Sequence, residues 1–344
     1  MRKKILSGIQ PTGQIHLGNY LGALKQWVAF QNEYDCVYTI VDLHAITVPP
    51  YSPEQLRTDI LELAAILIAC GLDVEKTILF VQSDVHEHSE LSWILSCVTP
   101  LGWLQRMTQF KEKSAQHKEQ ASAGLFTYPV LQAADILLYD TDLVPVGEDQ
   151  KQHIEITRDI TQRFNNLFGE TFKMPDYFIP EVAARVMGLD DPSKKMSKSE
   201  KGSNHSILLI DDKDTIMKKI KRAVTDSQRT IVFDEKREGL FNLLSIYEAL
   251  KYELDNPKRN EFVDGRKATQ VEIEKHFAGK GYKELKEELG ELIYEKLKPI
   301  QERYKEIVSD KAYLKKILAK GAERAREIAH PILQKAKKAA GLGA

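Results

Sequence analysis

The chain has 344 residues, of which 42% are hydrophobic and 29% are charged, and its formal net charge is −1. This apolar content is enough for a packed core and excludes an intrinsically disordered chain. The longest nearly uncharged apolar run, residues 63–72, is about half the ~20 residues of a transmembrane helix. The basic start lacks the apolar core of a signal peptide, and the sequence contains no C-x-x-C pair. We therefore expect a cytoplasmic protein without a membrane span.

The first half of the chain alternates between two kinds of pattern. Short β-branched runs occur at residues 4–9, 36–41, 77–82, 143–146 and 184–187. Helical patterns lie between them at residues 20–31, 56–69, 91–95, 128–138 and 150–168. This alternation predicts an α/β fold with a parallel sheet covered on both faces. Ligands of such sheets bind where the strands end, and these ends fall at residues 8–13, 42–46, 82–86, 147–150 and 188.

The second half has a different character. A polar loop at residues 194–204 leads to a short apolar run at 207–210, and everything from Thr215 onward has helical periodicity. Residues 1–190 contain 15 basic and 24 acidic side chains, whereas residues 191–344 contain 34 basic and 26 acidic ones. The change of sign is typical of a chain in which one part handles a polyanion. A solvated, lysine-rich helical tail would give the same composition.

The segment after the first strand carries the first candidate chemistry. It lacks the G-x-G-x-x-G pattern of dinucleotide-binding enzymes, and the chain has no G-x-x-x-x-G-K-[ST] pattern either. Instead, His16 and Asn19 stand three residues apart where a helix begins. This spacing places an imidazole and an amide on one side of a helix N-terminus, a place that favours phosphate. A histidine at such a position is also a common helix cap.

The second candidate segment is the loop at residues 194–199. Lys195 and Lys198 are three residues apart with small hydroxyl side chains beside them. Such a loop can contact triphosphate oxygens, although a solvated lysine-rich linker has the same composition. The two segments together favour a phosphate-binding function more strongly than either does alone. One follows the first strand, and the other lies where the charge of the chain changes sign.

With these two segments the chain resembles the class I aminoacyl-tRNA synthetases. Residues 10–19 match their HIGH-type signature and residues 195–199 match their KMSKS signature. Within that family the chain is similar to the bacterial enzymes for tryptophan, through residues 8–13, 41–47, 133–139 and 144–153. The resemblance covers essentially the whole chain.

The resemblance implies a fold and an activity. It implies a Rossmann-like catalytic domain at residues 1–192 and a KMSKS loop with a helical anticodon-binding domain at residues 193–344. It also implies a cytoplasmic homodimer that activates L-tryptophan with ATP and Mg²⁺, releases pyrophosphate and transfers the amino acid to tRNA(Trp). This chemistry needs positioning and charge stabilisation rather than a protein nucleophile. We see no dedicated carboxylate cage for Mg²⁺ and expect no tightly bound metal or organic cofactor.

The same resemblance implies roles for particular residues. His16, Asn19, Lys195 and Lys198 are the expected catalytic residues. The expected ATP-binding residues are Gln10, Pro11, Thr12, Gly18, Asn19, Gly147, Glu148, Asp149, Val186, Lys195, Met196, Ser197, Lys198 and Ser199. Lys111 is a further phosphate candidate, and an exposed helix lysine is the alternative interpretation.

Amino-acid specificity is expected on the helix that starts at Pro129. Tyr128, Gln132 and Asp135 have the spacing i, i+4 and i+7, so they share one face. A buried carboxylate at Asp135 can accept a hydrogen bond from the indole N–H group. The full expected tryptophan set is Asp135, Tyr128, Gln132, His44, Gln150, Gly8, Val144 and Val146.

Two positions depart from the bacterial tryptophan pattern. Gln132 stands where methionine is common, and Leu6 stands where an aromatic residue is common. Because glutamine at this position resembles the pattern of the enzymes for tyrosine, activation of tyrosine is the nearest alternative. A non-catalytic RNA-binding paralogue is an alternative from another class, but it would not need His16, Asn19, Lys195 and Lys198.

A pair of histidines, His86 and His88, raises the question of a metal site. Glu87 lies between them and no third ligand is near in sequence. We therefore interpret both histidines as surface residues at the start of a helix.

Overall fold

A central sheet of five parallel strands organises the computed structural model, which describes residues 2–47, 51–108, 122–147, 150–178, 186–197, 204–254 and 256–343. None of the helices in these ranges is both long and apolar enough to cross a membrane. In chain order the elements are β1 (Lys4–Ile9), α1 (Leu17–Asn19), a π-helical stretch (Tyr20–Leu24), α2 (Lys25–Phe30), β2 (Asp35–Ile40), α3 (Asp42–Ala45), α4 (Pro53–Ala69), β3 (Ile78–Val81), α5 (Glu87–Val98), α6 (Leu101–Gln105), α7 (Ala123–Leu137), β4 (Leu143–Pro145), α8 (Lys151–Phe168), β5 (Asp176–Phe178), α9 (Lys213–Arg222), α10 (Glu238–Lys251), a small hairpin of β6 (Phe262–Val263) and β7 (Arg266–Lys267), α11 (Ala268–His276), α12 (Tyr282–Ser309) and α13 (Lys311–Ala339).

The order of the strands fixes where a ligand can bind. The order is β3-β2-β1-β4-β5, so the chain leaves β1 in one direction and returns to its other side at β4. In the register of the sheet, Ser7 of β1 lies beside Tyr38 of β2, and Ile5 lies beside Leu143 of β4. Since β1 and β4 are neighbours but are not consecutive, the switch point of the sheet lies between their carboxyl ends.

Alternate residues of each strand face opposite cores. In β2, Cys36, Tyr38 and Ile40 belong to one hydrophobic core cluster, whereas Val37 belongs to the other. This is the pattern of a sheet covered on both faces. The α/β fold with helices at the C-terminal end, predicted from sequence, is confirmed.

One predicted strand is wrong. The fifth strand of the sheet is β5 at Asp176–Phe178, and the described part of the predicted run 184–187, namely Val186 and Met187, does not belong to a strand. Within the predicted range, residues 184–185 lie outside the described residues, and Met187 forms only an isolated bridge with Lys195. The apolar character of Val186 comes from burial against the second half of the chain rather than from a place in the sheet.

The last helix returns to the first half of the chain. Its apolar stripe joins the core cluster of α5, α7 and α8 through Ala322, Ala325, Ala329, Leu333 and Ala336. Its basic side chains bind partners in the first half: Lys320 bonds Glu75 at 2.8 Å and Lys337 bonds Glu90 at 2.6 Å. Lys335 donates to the carbonyl of Thr171. The helix is therefore not a solvated tail, and part of its positive charge is used within the chain. The domain boundary at residue 192 stays a prediction.

Gly321 marks the closest contact of α13 with the sheet. A Cβ atom at this position would lie 1.8 Å from the carbonyl oxygen of Leu79. We expect Gly321→Ala to lower the free energy of unfolding by at least about 1–3 kcal/mol, because backbone must move to admit the methyl group. Gly102, on exposed α6, is the matched control, since a Cβ there meets no heavy atom within 4 Å. Urea unfolding midpoints measure both variants, and equal midpoints would contradict this account of the packing.

Candidate functional site

A cavity of about 610 Å³ opens at the switch point, between the carboxyl ends of β1 and β4 and the facing side of α7. All eight residues expected to bind tryptophan line it, namely Gly8, His44, Tyr128, Gln132, Asp135, Val144, Val146 and Gln150. Gln10 and Gly147 of the expected ATP set also line it, as does Leu6. The residues expected from the family resemblance therefore meet at one cavity, and their individual roles stay predictions.

Asp135 lies at the end of this cavity and is 3% exposed. Its Oδ1 atom accepts hydrogen bonds from Gln82 Nε2 at 2.7 Å and from His88 Nδ1 at 2.6 Å. Its Oδ2 atom lies 2.8 Å from His44 Nε2. A carboxylate oxygen has two acceptor positions. Among the described residues, Oδ1 therefore has both positions occupied, and Oδ2 has one position left.

The same contacts fix the ionisation of Asp135. Burial alone would raise its pKa, but the hydrogen bonds from His44 and His88 lower the pKa well below the ordinary value of an aspartic acid. The group is therefore a carboxylate at neutral pH and only accepts hydrogen bonds. A substrate group that only donates, such as an indole N–H, matches the remaining position on Oδ2.

Tyr128 covers another side of the cavity. Its hydroxyl lies 2.6 Å from His153 Nε2, and its ring meets the ring of His44 edge to face. Burial raises the pKa of Tyr128 to about 12, so the hydroxyl stays protonated at neutral pH. The contact with His153 of α8 fixes the position of the ring.

His16 caps the helix after β1. Its Nδ1 atom accepts the backbone N–H of Asn19 at 3.3 Å, and Asn19 Oδ1 accepts the backbone N–H of His16 at 3.2 Å. Burial first, then the positive charge of Lys195 and the neighbouring His205, lower the pKa of His16 to about 4. The ring is therefore neutral at pH 7, and because Nδ1 accepts, its hydrogen lies on Nε2. His16 can thus donate one neutral hydrogen bond.

The KMSKS segment lies against this cap. Met196 donates its backbone N–H to Val186 at 3.0 Å and is buried, while Lys195 beside it is exposed. A Cβ atom added at Gly18 would lie 3.4 Å from Met196 Cβ and 3.0 Å from His16 Nδ1, so only glycine fits easily between the two signatures. The two segments, about 180 residues apart in sequence, meet in the fold.

Two polar residues bond the backbone on either side of this segment, and neither was expected from the sequence. His205 is buried under Gly188 and bonds Asp190 Oδ1 at 2.6 Å and the carbonyl oxygen of Lys195 at 3.3 Å. Asn242 bonds both backbone groups of Met187, at 2.8 and 2.9 Å. Isolated polar residues in a loop and in a helix give no sequence pattern, so only the fold identifies them.

The remaining expected ATP residues have varied positions. Pro11 is buried, Thr12 is exposed and Ser197 is half-buried. These three do not line the cavity of Asp135. The predictions for Glu148, Asp149, Lys198, Ser199 and Lys111 lie outside the described residues.

The interpretation of His88 as a surface residue is wrong. His88 is wholly buried and bonds both Asp135 and Tyr139, whereas His86 is exposed as expected. The neighbours of His88 in sequence, Glu87 and Ser89, are polar and give no sign that His88 is buried. The residues that bury it, Asp135 and Tyr139, lie on and just after α7. The Gln82 side chain was not expected at the site from the sequence, although residue 82 was predicted to lie at a strand end.

Comparisons with known proteins agree with this geometry. The family model for class I tRNA synthetases for tryptophan and tyrosine matches residues 2–298. A tryptophan–tRNA ligase of Helicobacter pylori is 53% identical over 341 residues, 99% of each chain. The solved tryptophanyl-tRNA synthetase of Mycoplasma pneumoniae has a TM-score of 0.87 at 39% identity and covers 100% of this chain and 99% of its own. That of Campylobacter jejuni, complexed with ADP and tryptophan, has a TM-score of 0.80 at 39% identity and covers 98% and 100%.

Proposed function

The chain belongs to the class I tRNA synthetases for tryptophan and tyrosine, and from this premise we propose how its own residues carry out the activity of its bacterial relatives. That activity is tryptophan–tRNA ligation. ATP activates L-tryptophan to tryptophanyl-adenylate with release of pyrophosphate, and tryptophan then passes to tRNA(Trp) for translation. Ligation of tyrosine, and RNA binding without catalysis, are not favoured by the full-length relatives.

The observation that carries the proposed mode of substrate binding is the pattern of contacts around Asp135. In the proposal the indole N–H donates to the open position on Oδ2, while Val144 and Val146 pack against the ring. Gly8, near the end of β1, packs closely against Val41, because a Cβ there would lie 2.9 Å from Val41 Cγ1. Gln132 and Gln150 supply further polar groups at the cavity wall, and in this proposal neither of them replaces the carboxylate as the acceptor.

The phosphates of ATP would bind between the two signatures. The reaction is attack of the tryptophan carboxylate on the α-phosphorus, and pyrophosphate leaves. His16 would donate its Nε2 hydrogen to a phosphate oxygen, and Lys195 would place its positive charge near the departing pyrophosphate. Both act by stabilising charge that grows in the transition state. Asn19, Gly18, Gln10, Thr12 and Gly147 would line the nucleotide's path, with Lys198 as a second cation.

Magnesium enters this proposal together with ATP. The family resemblance implies that ATP arrives as its magnesium complex, so the ion would be held chiefly by phosphate oxygens. In the described part of the chain, no group of three or more His, Cys, Asp or Glu side chains lies close enough to hold an ion. We therefore assign no protein ligands to it.

We assign tRNA(Trp) binding to the basic second half of the chain. Because Lys320, Lys335 and Lys337 of α13 bind partners inside the chain, the anticodon contacts would come from residues 215–300 rather than from the last helix. Residues 106–118, most of which lie outside the described residues, would guide the acceptor end. Each phosphate contact removed by mutation should lower the salt slope of tRNA binding by roughly 0.7–0.9.

A cytoplasmic homodimer completes the proposal. Trp93 of α5 and Leu101 of α6 are 73% and 66% exposed, and we propose that a second copy of the chain covers them. The three cysteines are free, as expected in a reducing compartment.

Sedimentation velocity tests the dimer: we expect the mass of two chains for the wild type and a single chain for the Trp93→Glu, Leu101→Glu double variant.

Amino-acid-dependent exchange between ATP and pyrophosphate tests the function as a whole. Exchange should depend on tryptophan alone when all twenty amino acids are supplied one at a time. A tyrosine-dependent exchange, silent with tryptophan, would overturn the assignment and direct attention to Gln132.

A further inference from the structure

A buried histidine and a buried tyrosine lie behind Asp135, on the side away from the cavity. His88 is 0% exposed at the first turn of α5, and Tyr139 is 0% exposed just after α7. His88 Nδ1 lies 2.6 Å from Asp135 Oδ1, and His88 Nε2 lies 2.8 Å from the hydroxyl of Tyr139. Neither residue lines the cavity. They form a chain of two hydrogen bonds that ends on the carboxylate.

The direction of these hydrogen bonds follows from chemistry. Because a carboxylate only accepts, the hydrogen between His88 and Asp135 belongs to Nδ1. In a neutral ring Nε2 then accepts, so the Tyr139 hydroxyl donates to it. Burial and the charges of Asp135 and Glu87 raise the pKa of Tyr139 well above its ordinary value, so this hydroxyl keeps its hydrogen. Both bonds therefore point toward Asp135.

These hydrogen bonds determine which oxygen of the Asp135 carboxylate remains available to a substrate. Gln82 and His88 together occupy both acceptor positions of Oδ1, and His44 occupies one position of Oδ2. Without His88, Oδ1 would regain an open position and the carboxylate would have one fewer contact against rotation. A carboxylate held by three donors presents a single acceptor position to the cavity.

From this arrangement we infer that His88, oriented by Tyr139, is a positioning residue for tryptophan specificity: it occupies Oδ1 so that Oδ2 alone reads the indole N–H. The inference rests on the proposed role of Asp135. The same arrangement distinguishes tryptophan from ligands that lack a hydrogen-bond donor at the position of the indole N–H. A site that only accepts at this point gives a full hydrogen bond to an indole, whereas a ligand without a donor there leaves one acceptor position of the buried carboxylate unsatisfied.

Three variants separate a positioning role from packing. His88→Asn keeps an N–H near the position of Nδ1 and so still donates to Asp135. His88→Leu fills similar space without a donor. Tyr139→Phe removes only the outer hydrogen bond. The readouts are kcat and KM for tryptophan and for ATP in pyrophosphate exchange, measured also with the analogue in which sulfur replaces the indole N–H, 3-(benzothiophen-3-yl)alanine.

We expect His88→Leu to raise KM for tryptophan by about 10- to 100-fold, the effect of one hydrogen bond to a charged group, and to leave KM for ATP unchanged. His88→Asn should recover most of this loss, and Tyr139→Phe should give a smaller rise. The preference for tryptophan over the sulfur analogue should fall in His88→Leu and return in His88→Asn.

Equal kinetics for His88→Asn and His88→Leu would overturn the inference, because packing would then be the whole role of the side chain. If His88→Leu does not fold, Tyr139→Phe decides the question, because it removes only the hydrogen bond that orients His88. A raised KM for tryptophan and a reduced preference over the sulfur analogue in Tyr139→Phe support positioning, and wild-type values of both contradict it. A wild-type protein inactive with tryptophan would instead contradict the proposed function.

Discussion

Replacing Asp135 with asparagine is expected to reduce kcat/KM for tryptophan by as much as about 10⁴, while KM for ATP stays within a few-fold of the wild type. The amide has one acceptor oxygen where the carboxylate has two, yet Gln82, His88 and His44 all direct hydrogens at this position. At least one donor then meets the amide N–H₂ group, and the acceptor for the indole is lost. Asp135→Ala should give a loss of similar size.

Pyrophosphate exchange at varied tryptophan and varied ATP measures both constants. The KM for ATP in the same variant is the internal control for the fold of the nucleotide site, and thermal unfolding checks the chain as a whole. A folded Asp135→Asn protein that keeps wild-type kcat/KM for tryptophan would refute the assignment of this carboxylate.

Lys195→Ala should lower the rate of activation by about 10²–10³ and leave tryptophan affinity nearly unchanged. The ammonium group lies on an exposed segment beside His16, away from the indole cavity. It would contact phosphate mainly when negative charge builds up on the leaving pyrophosphate, so its loss affects the transition state more than the ground state.

The neighbouring lysine offers a matched control for this variant. Lys194 is also exposed and lies 3.6 Å from Asp191, so Lys194→Ala removes a similar charge from the same loop. Single-turnover formation of tryptophanyl-adenylate should be slow for Lys195→Ala and near the wild-type rate for Lys194→Ala. A wild-type rate for Lys195→Ala would mean that the segment is only a solvated linker.

The position of the cavity could be predicted from the sequence because it depends on local features, namely where each strand ends. Each of β1, β2 and β4 is a short apolar run, and the residues just beyond a parallel strand meet at one edge of the sheet. The spacing of Tyr128, Gln132 and Asp135 on one helix then placed three side chains on the facing wall. These two inferences need only the period of an element and the point where it ends, whereas the assignment of the set to tryptophan, with Val144 and Val146 against the ring, came from the family resemblance.

The errors arose where burial depends on distant parts of the chain. His88 has polar neighbours in sequence, but its ring is covered by distant residues, namely Asp135 of α7, Tyr139 just after α7 and Phe80 of β3. The last helix is rich in lysine, yet its alanine stripe packs under the sheet, where Gly321 meets Leu79. The three-residue β5 has no periodicity long enough to detect. Such contacts come from tertiary packing, which a single sequence does not display.

The most direct test of the central claim compares tryptophan with its sulfur analogue, 3-(benzothiophen-3-yl)alanine, in the wild type and in Asp135→Asn. The two amino acids have nearly the same shape and differ in the N–H that Asp135 Oδ2 is proposed to accept. We predict that the wild type prefers tryptophan by at least about 10² in kcat/KM, and that the preference falls to a few-fold in Asp135→Asn. The same preference in both proteins would contradict the account, because the indole N–H would then be read by another group.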